Sequence, residues 1–290
     1  MNNQLSERRQ ELAEIATKQA DLREERSFAQ GKIGSLYSAY RNSETLQVTC
    51  PQHGEFEQQH IWMFFSGRES HKHSRCPHCL DQEAKDLKTR KQEIRIGELT
   101  ENANIPPRFT GCDFDNFKVV NPNAGKNLGV MRAYAKAWPQ MQSAGTSLIL
   151  CGAPGTGKNH LAVSLAKEII RSYQGDVLLT SVMRIIRAVR RSWDKASDQR
   201  EEDVIDFYTS RDLLIIDEVG IQYGSDSEKI ILFDILNTRY EEMLPTVLIS
   251  NLPPADIAEV IGERLMDRMV EGEGATLVFD WESYRGKKGQ

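Results

Sequence analysis

The residues Gly152-Ala153-Pro154-Gly155-Thr156-Gly157-Lys158 carry glycines and a lysine at the G-x-x-x-x-G-K spacing. That pattern lets backbone N–H groups converge on phosphate oxygens while the lysine reaches the terminal phosphates. The string alone is only moderately specific, and its setting decides. It leaves a short apolar strand, Ser147–Cys151, and enters a helix near 158–172, so the phosphate would sit at a positive helix N-terminus. Residues Gly152 to His160 are therefore the expected nucleotide-binding segment; His160 has no chemistry of its own assigned. Asn159 stands where a hydroxyl residue usually ligates Mg²⁺. An amide oxygen is a hard ligand too, but it sits one bond farther out, so nucleotide binding should survive and hydrolysis should be slow.

A second acidic component lies about 60 residues on. Asp217-Glu218 follows the apolar run Leu213–Ile216, where a strand end can present one acid to Mg²⁺ and another to an attacking water. Asn251 ends the run Thr246–Ser250 and could touch the γ-phosphate or its water. Arg264 and Arg268 are four apart and share one helix face. A surface pair of this kind is usually a solvated face. Here the order of helices and strands puts it where an oligomeric ATPase offers an arginine to its neighbour's nucleotide.

A separate cluster lies near the start. Cys50-Pro-Gln-His53 and Cys76-Pro-His-Cys79 form C-x₂-H and C-x₂-C knuckles, a donor set able to close a tetrahedron around Zn²⁺. Five of the six histidines (His53, His60, His71, His73, His78) fall in this stretch, which supports a metal and leaves open which histidine completes the site. With four protein ligands the site would be structural, stabilising a small N-terminal domain with a thin core. Arg184, Arg187, Arg190 and Arg191 recur at three- and four-residue spacing, a basic helical stripe in an acidic half of the chain.

The elements that must position these groups follow from composition and period. The 290 residues admit one large domain or two smaller ones. Net charge is 37 − 42 = −5, which excludes a protein that coats nucleic acid by bulk charge and leaves local basic patches as the electrostatic route. Residues 1–100 hold 15 basic and 15 acidic side chains, so the remaining residues carry the whole excess. Five cysteines, an odd number, without an apolar leader argue against a disulfide framework. No run reaches the roughly 18 apolar residues of a membrane span, so a cytoplasmic location without membrane contact is expected.

Residues 4–30 read as a charged helix with Leu5, Leu12, Ile15 and Leu22 on one stripe, packed on its own domain or on a partner rather than in a coiled coil. Strand-like pieces over 46–80 and a second charged helix over 81–101 follow. The pair Pro106-Pro107 marks a boundary, giving domains 1–103 and 104–290. Beyond it helices near 126–142, 158–172, 181–192, 199–208, 226–243 and 254–270 alternate with strands at 147–151, 177–180, 213–216, 246–250 and 276–279. Uninterrupted apolar strands between helices predict an α/β doubly wound parallel sheet covered on both faces.

Taken with their order and spacing, NIPPRF (104–109), GAPGTGKNHLA (152–162), LLIIDEVGIQ (213–222), GERLMDRM (262–269) and FDWESYR (279–285) resemble the ATPase domain of DnaC-type replicative helicase loaders. More distantly they resemble IstB-type transposition ATPases. The resemblance covers residues 104–290 and implies a P-loop AAA+ fold, ATP and Mg²⁺ binding, and slow ATPase activity used as a switch. It also implies self-association into a spiral on a hexameric replicative helicase, and contact with single-stranded DNA. By motif match, Lys158, Asn159, Asp217, Glu218, Asn251 and Arg268 inherit phosphate, Mg²⁺, water-activating, sensor and arginine-finger roles, with Arg264 as the alternate finger. The arginine stripe is expected toward the DNA channel.

Only 290 − 269 = 21 residues follow the arginine pair, too few for a full helical lid of three average helices. Ile105, Phe109, Phe114 and Phe117, together with a neighbouring subunit, are therefore expected to cover the adenine. The N-terminal region does not match the helicase hook of the familiar loaders, so helicase docking by residues 1–103 is an expectation from position. Three rivals remain: a transposition accessory ATPase, a monomeric small-molecule P-loop kinase, and a zinc adaptor that never hydrolyses its nucleotide.

Overall fold

The charged N-terminal stretch is one helix, α1 (Asn2–Ala29), followed by an antiparallel sheet of β1 (Asn42–Cys50), β2 (Gly54–Phe65) and β3 (Arg68–His73), and then by α2 (Pro77–Asn102). The computed structural model describes residues 2–32, 40, 42–65, 67–194, 196–220 and 226–284. Its two compact units are Met1–Arg95 and Ile96–Gln290.

Ile15, Leu22 and Ala29, seven apart on α1, are buried, as are Leu80 and Ile94 on α2, with Leu87 half-buried between them. This is the heptad spacing of two packed helices, realised within one chain. The Arg26–Asp81 and Arg90–Glu11 ion pairs, at 2.6 and 2.7 Å, fix the antiparallel register. Being exposed, they contribute little energy. The Leu5 side chain lies outside the described residues. Ile61 of β2 and Phe28 of α1 form a second small apolar cluster with Tyr40.

The paired prolines at 106–107 do not begin the second unit. The last turns of α2 belong to it, because Leu99 and Ala103 are buried in its core. Two short 3-10 turns, Pro107–Phe109 and Phe114–Asn116, precede α3 (Pro122–Lys136) and α4 (Trp138–Ser143). Asn121 caps α3 by accepting from the Ala124 N–H, with Pro122 at the first helical position. That cap starts the helix four residues earlier than its apolar period alone suggests, and Ala137, ahead of Pro139, divides it from α4.

The doubly wound part then runs β4 (Leu148–Gly152), α5 (Lys158–Tyr173), β5 (Val177–Ser181), α6 (Val182–Ser192), α7 (Glu201–Thr209), β6 (Leu213–Val219), α8 (Asp226–Glu241), β7 (Thr246–Ser250), α9 (Pro254–Ile261), α10 (Glu263–Met269) and β8 (Ala275–Phe279). All four strand pairings are parallel, in the order β5-β6-β7-β4-β8.

Side chains alternate between two cores. Leu148, Leu150, Leu213, Ile215 and Val247 pack with α3, α4 and α5; Ile149, Cys151, Leu214, Ile216 and Leu248 pack with α6 to α10. Helices on both faces explain why every strand reads as an unbroken apolar run. The expected single helix over 254–270 is two, because Gly262 adopts φ +88° between α9 and α10. Among the described residues no helix is long and apolar enough to cross a membrane.

At the N-terminal ends of β6 and β7 the buried Arg239 donates to Thr246 Oγ1 and to the carbonyls of Tyr208, Thr209, Arg211 and Pro245. Burial lowers its pKa to about 10, so it is still charged at neutral pH. Five acceptors offset what would otherwise be a prohibitive buried charge. This end of the sheet is thereby tied together, and the opposite, carboxyl end carries the candidate site, as open α/β sheets require.

Candidate functional site

The phosphate loop leaves β4 at Gly152, whose φ is +120°. A Cβ there would lie 2.3 Å from the carbonyl oxygen of Phe279 on β8, so the position admits only glycine. Gly157, at φ +103°, starts α5, and a Cβ on it would meet the Phe117 ring at 2.7 Å. The Lys158 side chain is buried and folds back over the loop, donating to the carbonyls of Gly152 and Ala153 at 2.7 and 2.8 Å. The loop from Gly152 through Ala153, Pro154, Gly155, Thr156 and Gly157 is thus closed on its own lysine, a cradle able to accept a phosphate when that amine turns outward.

Asp217 and Glu218 sit within β6, which continues to Val219, beyond the four-residue strand expected from the apolar run. The strand slips register between Ile216 and Val219, and Glu218 has φ +62°. A left-handed glutamate stores strain of order 1 kcal/mol or more, typical of positions where a side chain must be aimed. Asn159 Nδ2 donates to Asp217 Oδ2 at 2.7 Å, and Asp217 Oδ1 accepts from the Glu218 N–H. The amide of Asn159 is therefore committed to Asp217 through its nitrogen, leaving the amide oxygen as the atom for a cation.

These groups share one cleft of about 410 Å³, lined by Pro154, Gly157, Lys158, Asn159, Asp217, Glu218 and Asn251. A second cavity of about 480 Å³ shares the phosphate loop and His160 with it, and adds Phe117, Trp281 and Tyr284. Of the four side chains expected over an adenine, Phe109 and Phe117 line these cavities. Phe114 is buried in the core and Ile105 packs against it, which removes both from that surface. In their place the segment after β8 returns to the phosphate loop: Trp281 Nε1 donates to the Thr156 carbonyl and the Tyr284 N–H to Gly155. The aromatic run at 279–284 was the available signal for this. Arg285, like Ile221 and Gln222, lies outside the described residues.

His160 is part of the wall, its Nε2 within 2.8 Å of the Asp113 carbonyl and its ring edge-on to Phe117. Cys151 is buried, which raises its thiol pKa to about 11, and burial also raises that of the half-buried Cys112, which lines both cavities.

Neither Arg264 nor Arg268 lines this cleft. Both border a different cavity with Tyr240, Asp267 and Glu271. Arg268 donates to Asn237 Oδ1 and lies 4.7 Å from the Tyr240 ring centroid, while Arg264 is exposed. The stripe on α6 divides. Arg184 and Arg187 line a cavity of about 400 Å³ that also contains Asn159, Asp217 and Glu218; Arg191 is exposed. Arg190 forms a 2.8 Å ion pair with the buried Glu228 of α8, a tertiary commitment that helical spacing cannot reveal.

In the first unit the two knuckles meet. Cys50 ends β1, His53 lies in the turn to β2, Cys76 follows β3 and Cys79 is in the first turn of α2. Their ligand atoms all lie within 4.8 Å of one another. Cys50 Sγ is 3.6 Å from both His53 Nδ1 and Cys79 Sγ, and His53 Nδ1 is 3.8 and 3.3 Å from Cys76 and Cys79. Ligands about 2.3 Å from a tetrahedral Zn²⁺ lie about 3.8 Å apart along each edge; the residues fit that ion. The thiols already differ. The Gln52 N–H lowers the pKa of Cys50 to about 6, while hydrogen bonding to Cys50 raises that of Cys79 to about 11. Of the five candidate histidines, His53 is the one at this cluster, and the His78 ring lies tilted against it, 5.6 Å between centroids.

Residues 68–289 match the family described as IstB-like ATP binding protein. The chain is 30% identical over 201 residues to the replicative helicase loader DnaC of Escherichia coli K12, spanning 69% of this chain and 80% of that protein. It is 34% identical over 192 residues to the DnaC of Buchnera aphidicola from Acyrthosiphon pisum, spanning 66% and 76%. In three dimensions it matches a crystal structure of the DnaC helicase loader with TM-score 0.54 at 21% identity, over 60% of this chain and all of that one. A crystal structure of DnaI matches with TM-score 0.51 at 19% identity, over 63% and 95%. The structural likenesses establish an AAA+ type of fold; with the sequence matches they show that this chain belongs to the DnaC/IstB-like group of ATP-binding proteins.

Proposed function

We propose that this protein is a cytoplasmic, ATP-dependent loader that binds a hexameric replicative helicase and delivers it onto single-stranded DNA. The observation that carries this reading is the single cleft joining Lys158, Asn159, Asp217, Glu218 and Asn251, in a chain related to a helicase loader across four-fifths of that protein's length. Lys158 and the backbone of the Gly152–His160 loop hold the ATP phosphates, Asn159 and Asp217 hold Mg²⁺, Glu218 orients the attacking water and Asn251 senses the γ-phosphate. Because Asn159 replaces a hydroxyl and is tied to Asp217, turnover is slow and ATP serves mainly as a switch. The second unit, Ile96–Gln290, forms the ATPase, and the first unit, folded around one Zn²⁺ on Cys50, His53, Cys76 and Cys79, docks the helicase.

Arg268 acts on a neighbour's nucleotide in a spiral of subunits, with Arg264 as the alternate, since neither borders its own cleft. ATP turnover per subunit should therefore rise with protein concentration or with added helicase, and Arg268→Ala should remove that rise while leaving ATP binding intact. A per-subunit rate independent of concentration, helicase and DNA, and unaffected by Arg268→Ala, would instead favour a monomeric kinase.

DNA contact is assigned to the α6 stripe of Arg184, Arg187 and Arg191. Arg190 belongs to the same stripe, but its ion pair with Glu228 makes it a poor test residue. The chain is net negative, so binding must come from a few close arginine–phosphate contacts. Each contributes about −0.7 to the slope of log K against log salt on single strands. Replacing all three by Ala should flatten the slope by about 2 per engaged subunit and weaken all sequences alike. Unchanged affinity and slope would make the stripe a solvated face.

The match to the IstB-like family description supports a second reading, an accessory ATPase of transposition. It shares every ATPase residue and differs in binding duplex DNA and a transposase.

A further inference from the structure

Arg268 belongs to α10 but is held from α8. Asn237, Tyr240 and Glu241 lie three and four positions apart at the end of α8, so they share one face. Arg268 donates to Asn237 Oδ1, and its guanidinium carbon lies over the Tyr240 ring, 4.7 Å from the centroid. The Asn237 amide is oriented in turn, because its Nδ2 donates to Glu241 Oε1 at 2.8 Å. A carboxylate can only accept and a guanidinium can only donate, so this amide has one way round that serves both. One N–H and one face of the guanidinium are thereby fixed, and the side chain borders the cavity of about 440 Å³ that it shares with Arg264, Asp267 and Glu271.

Two carboxylates on that cavity could pair with Arg268, yet among the described residues it has no ion pair. Glu271 is engaged elsewhere: its Oε2 accepts from the Tyr240 hydroxyl at 2.5 Å. That bond raises the pKa of Tyr240, so the hydroxyl remains a donor at neutral pH. One tyrosine therefore stacks on the arginine with its ring and holds an acid away from it with its hydroxyl. A ring face attracts a cation without neutralising it.

We propose that Asn237 and Tyr240 are positioning residues that present the Arg268 guanidinium, without an ion pair, to an anion outside its own chain. This rests on the reading of Arg268 as acting on a neighbour's nucleotide, and it selects Arg268 over the exposed Arg264 for that role. A guanidinium already oriented loses little freedom when a phosphate arrives. One paired to Glu271 would first have to break that pair.

Per-subunit ATP turnover of the full chain with added helicase, measured beside ATP affinity, tests this. Tyr240→Phe keeps the ring and releases Glu271 onto the arginine. Turnover should fall about threefold to fivefold, the strength of an exposed ion pair, with ATP affinity unchanged because Tyr240 lies outside its own cleft. Asn237→Ala should lower turnover by about 10-fold or more, again at constant ATP affinity. Glu271→Gln added to Tyr240→Phe should restore most of the lost turnover, a rescue that a merely structural role would not give. An ATP-dependent thermal shift in each variant reports that the unit is folded. Full turnover in Tyr240→Phe and Asn237→Ala, with Arg268→Ala impaired, would overturn the positioning role alone, as would failure of Glu271→Gln to rescue. Full turnover in Arg268→Ala would overturn it together with the arginine reading.

Discussion

Lys158→Ala is expected to abolish the stabilisation of the second unit by ATP, while Glu218→Gln keeps it and loses turnover. The buried amine of Lys158 holds two loop carbonyls, which under the proposed role it would exchange for phosphate oxygens. Hydrogen bonds to charged groups contribute about 1.5–3 kcal/mol each, so losing two costs at least about a hundredfold in affinity. At nucleotide concentrations a hundred times the wild-type Kd, ligand stabilises the folded state by about 2.7 kcal/mol. The same concentration would give Lys158→Ala about 0.4 kcal/mol or less. Thermal unfolding with and without ATP measures this within each variant, so a change in the baseline stability of the emptied loop cancels. A full ATP-dependent shift in Lys158→Ala would remove the phosphate cradle from the account.

Cys76→Ser should release the zinc and unfold the first unit while the second continues to bind ATP. Among the described residues the apolar clusters of the first unit are small, one built on Leu22, Ala29 and Leu80 and the other on Phe28 and Ile61. Structural zinc contributes about 10–16 kcal/mol in small peptides, more than such clusters can replace. The second unit has two large cores on either side of its sheet and does not depend on the metal. Metal analysis, far-ultraviolet circular dichroism and the ATP-dependent thermal shift read the three parts separately. Because thiolates must lose protons to bind, the same loss should occur in wild type on chelation or acidification. Freshly prepared, unchelated protein without zinc would reject the assignment.

Much of this site was legible because its chemistry is local. The glycine spacing at 152–158 specifies a backbone path that few other residues allow, and the strand and helix flanking it are visible as an apolar run and a helical period. Asp217-Glu218 was legible for the same reason, as polar residues ending an apolar strand. The knuckle spacing pointed to Cys50, His53, Cys76 and Cys79, and the turn between β1 and β2 brings His53 rather than another of the five histidines to the three thiols.

What escaped the sequence depends on distant partners. The ion pair between Arg190 and Glu228 joins two helices, and the return of Trp281 to Thr156 spans 125 positions. Phe114 and Ile105 looked equivalent to Phe109 and Phe117, since alternation in an irregular segment does not say which rings face the core. Gly262 interrupts a helical pattern at a cost of only about 1 kcal/mol in an intact helix, so the break between α9 and α10 could not be read from its presence alone. Arg239 gave no signal at all, because nothing in its neighbours announces five buried carbonyl and hydroxyl acceptors.

The most direct test of the loader assignment is co-elution of the full chain with the hexameric replicative helicase of its host, with and without ATP. The account predicts a stable complex that forms through the zinc-containing N-terminal region. In the presence of ATP and a circular single strand, the complex should leave the helicase on the DNA. Cys76→Ser should lose the complex and Lys158→Ala should form it without delivering the helicase. Absence of any complex in either nucleotide state, or a complex formed equally well by residues 96–290 alone, would contradict it.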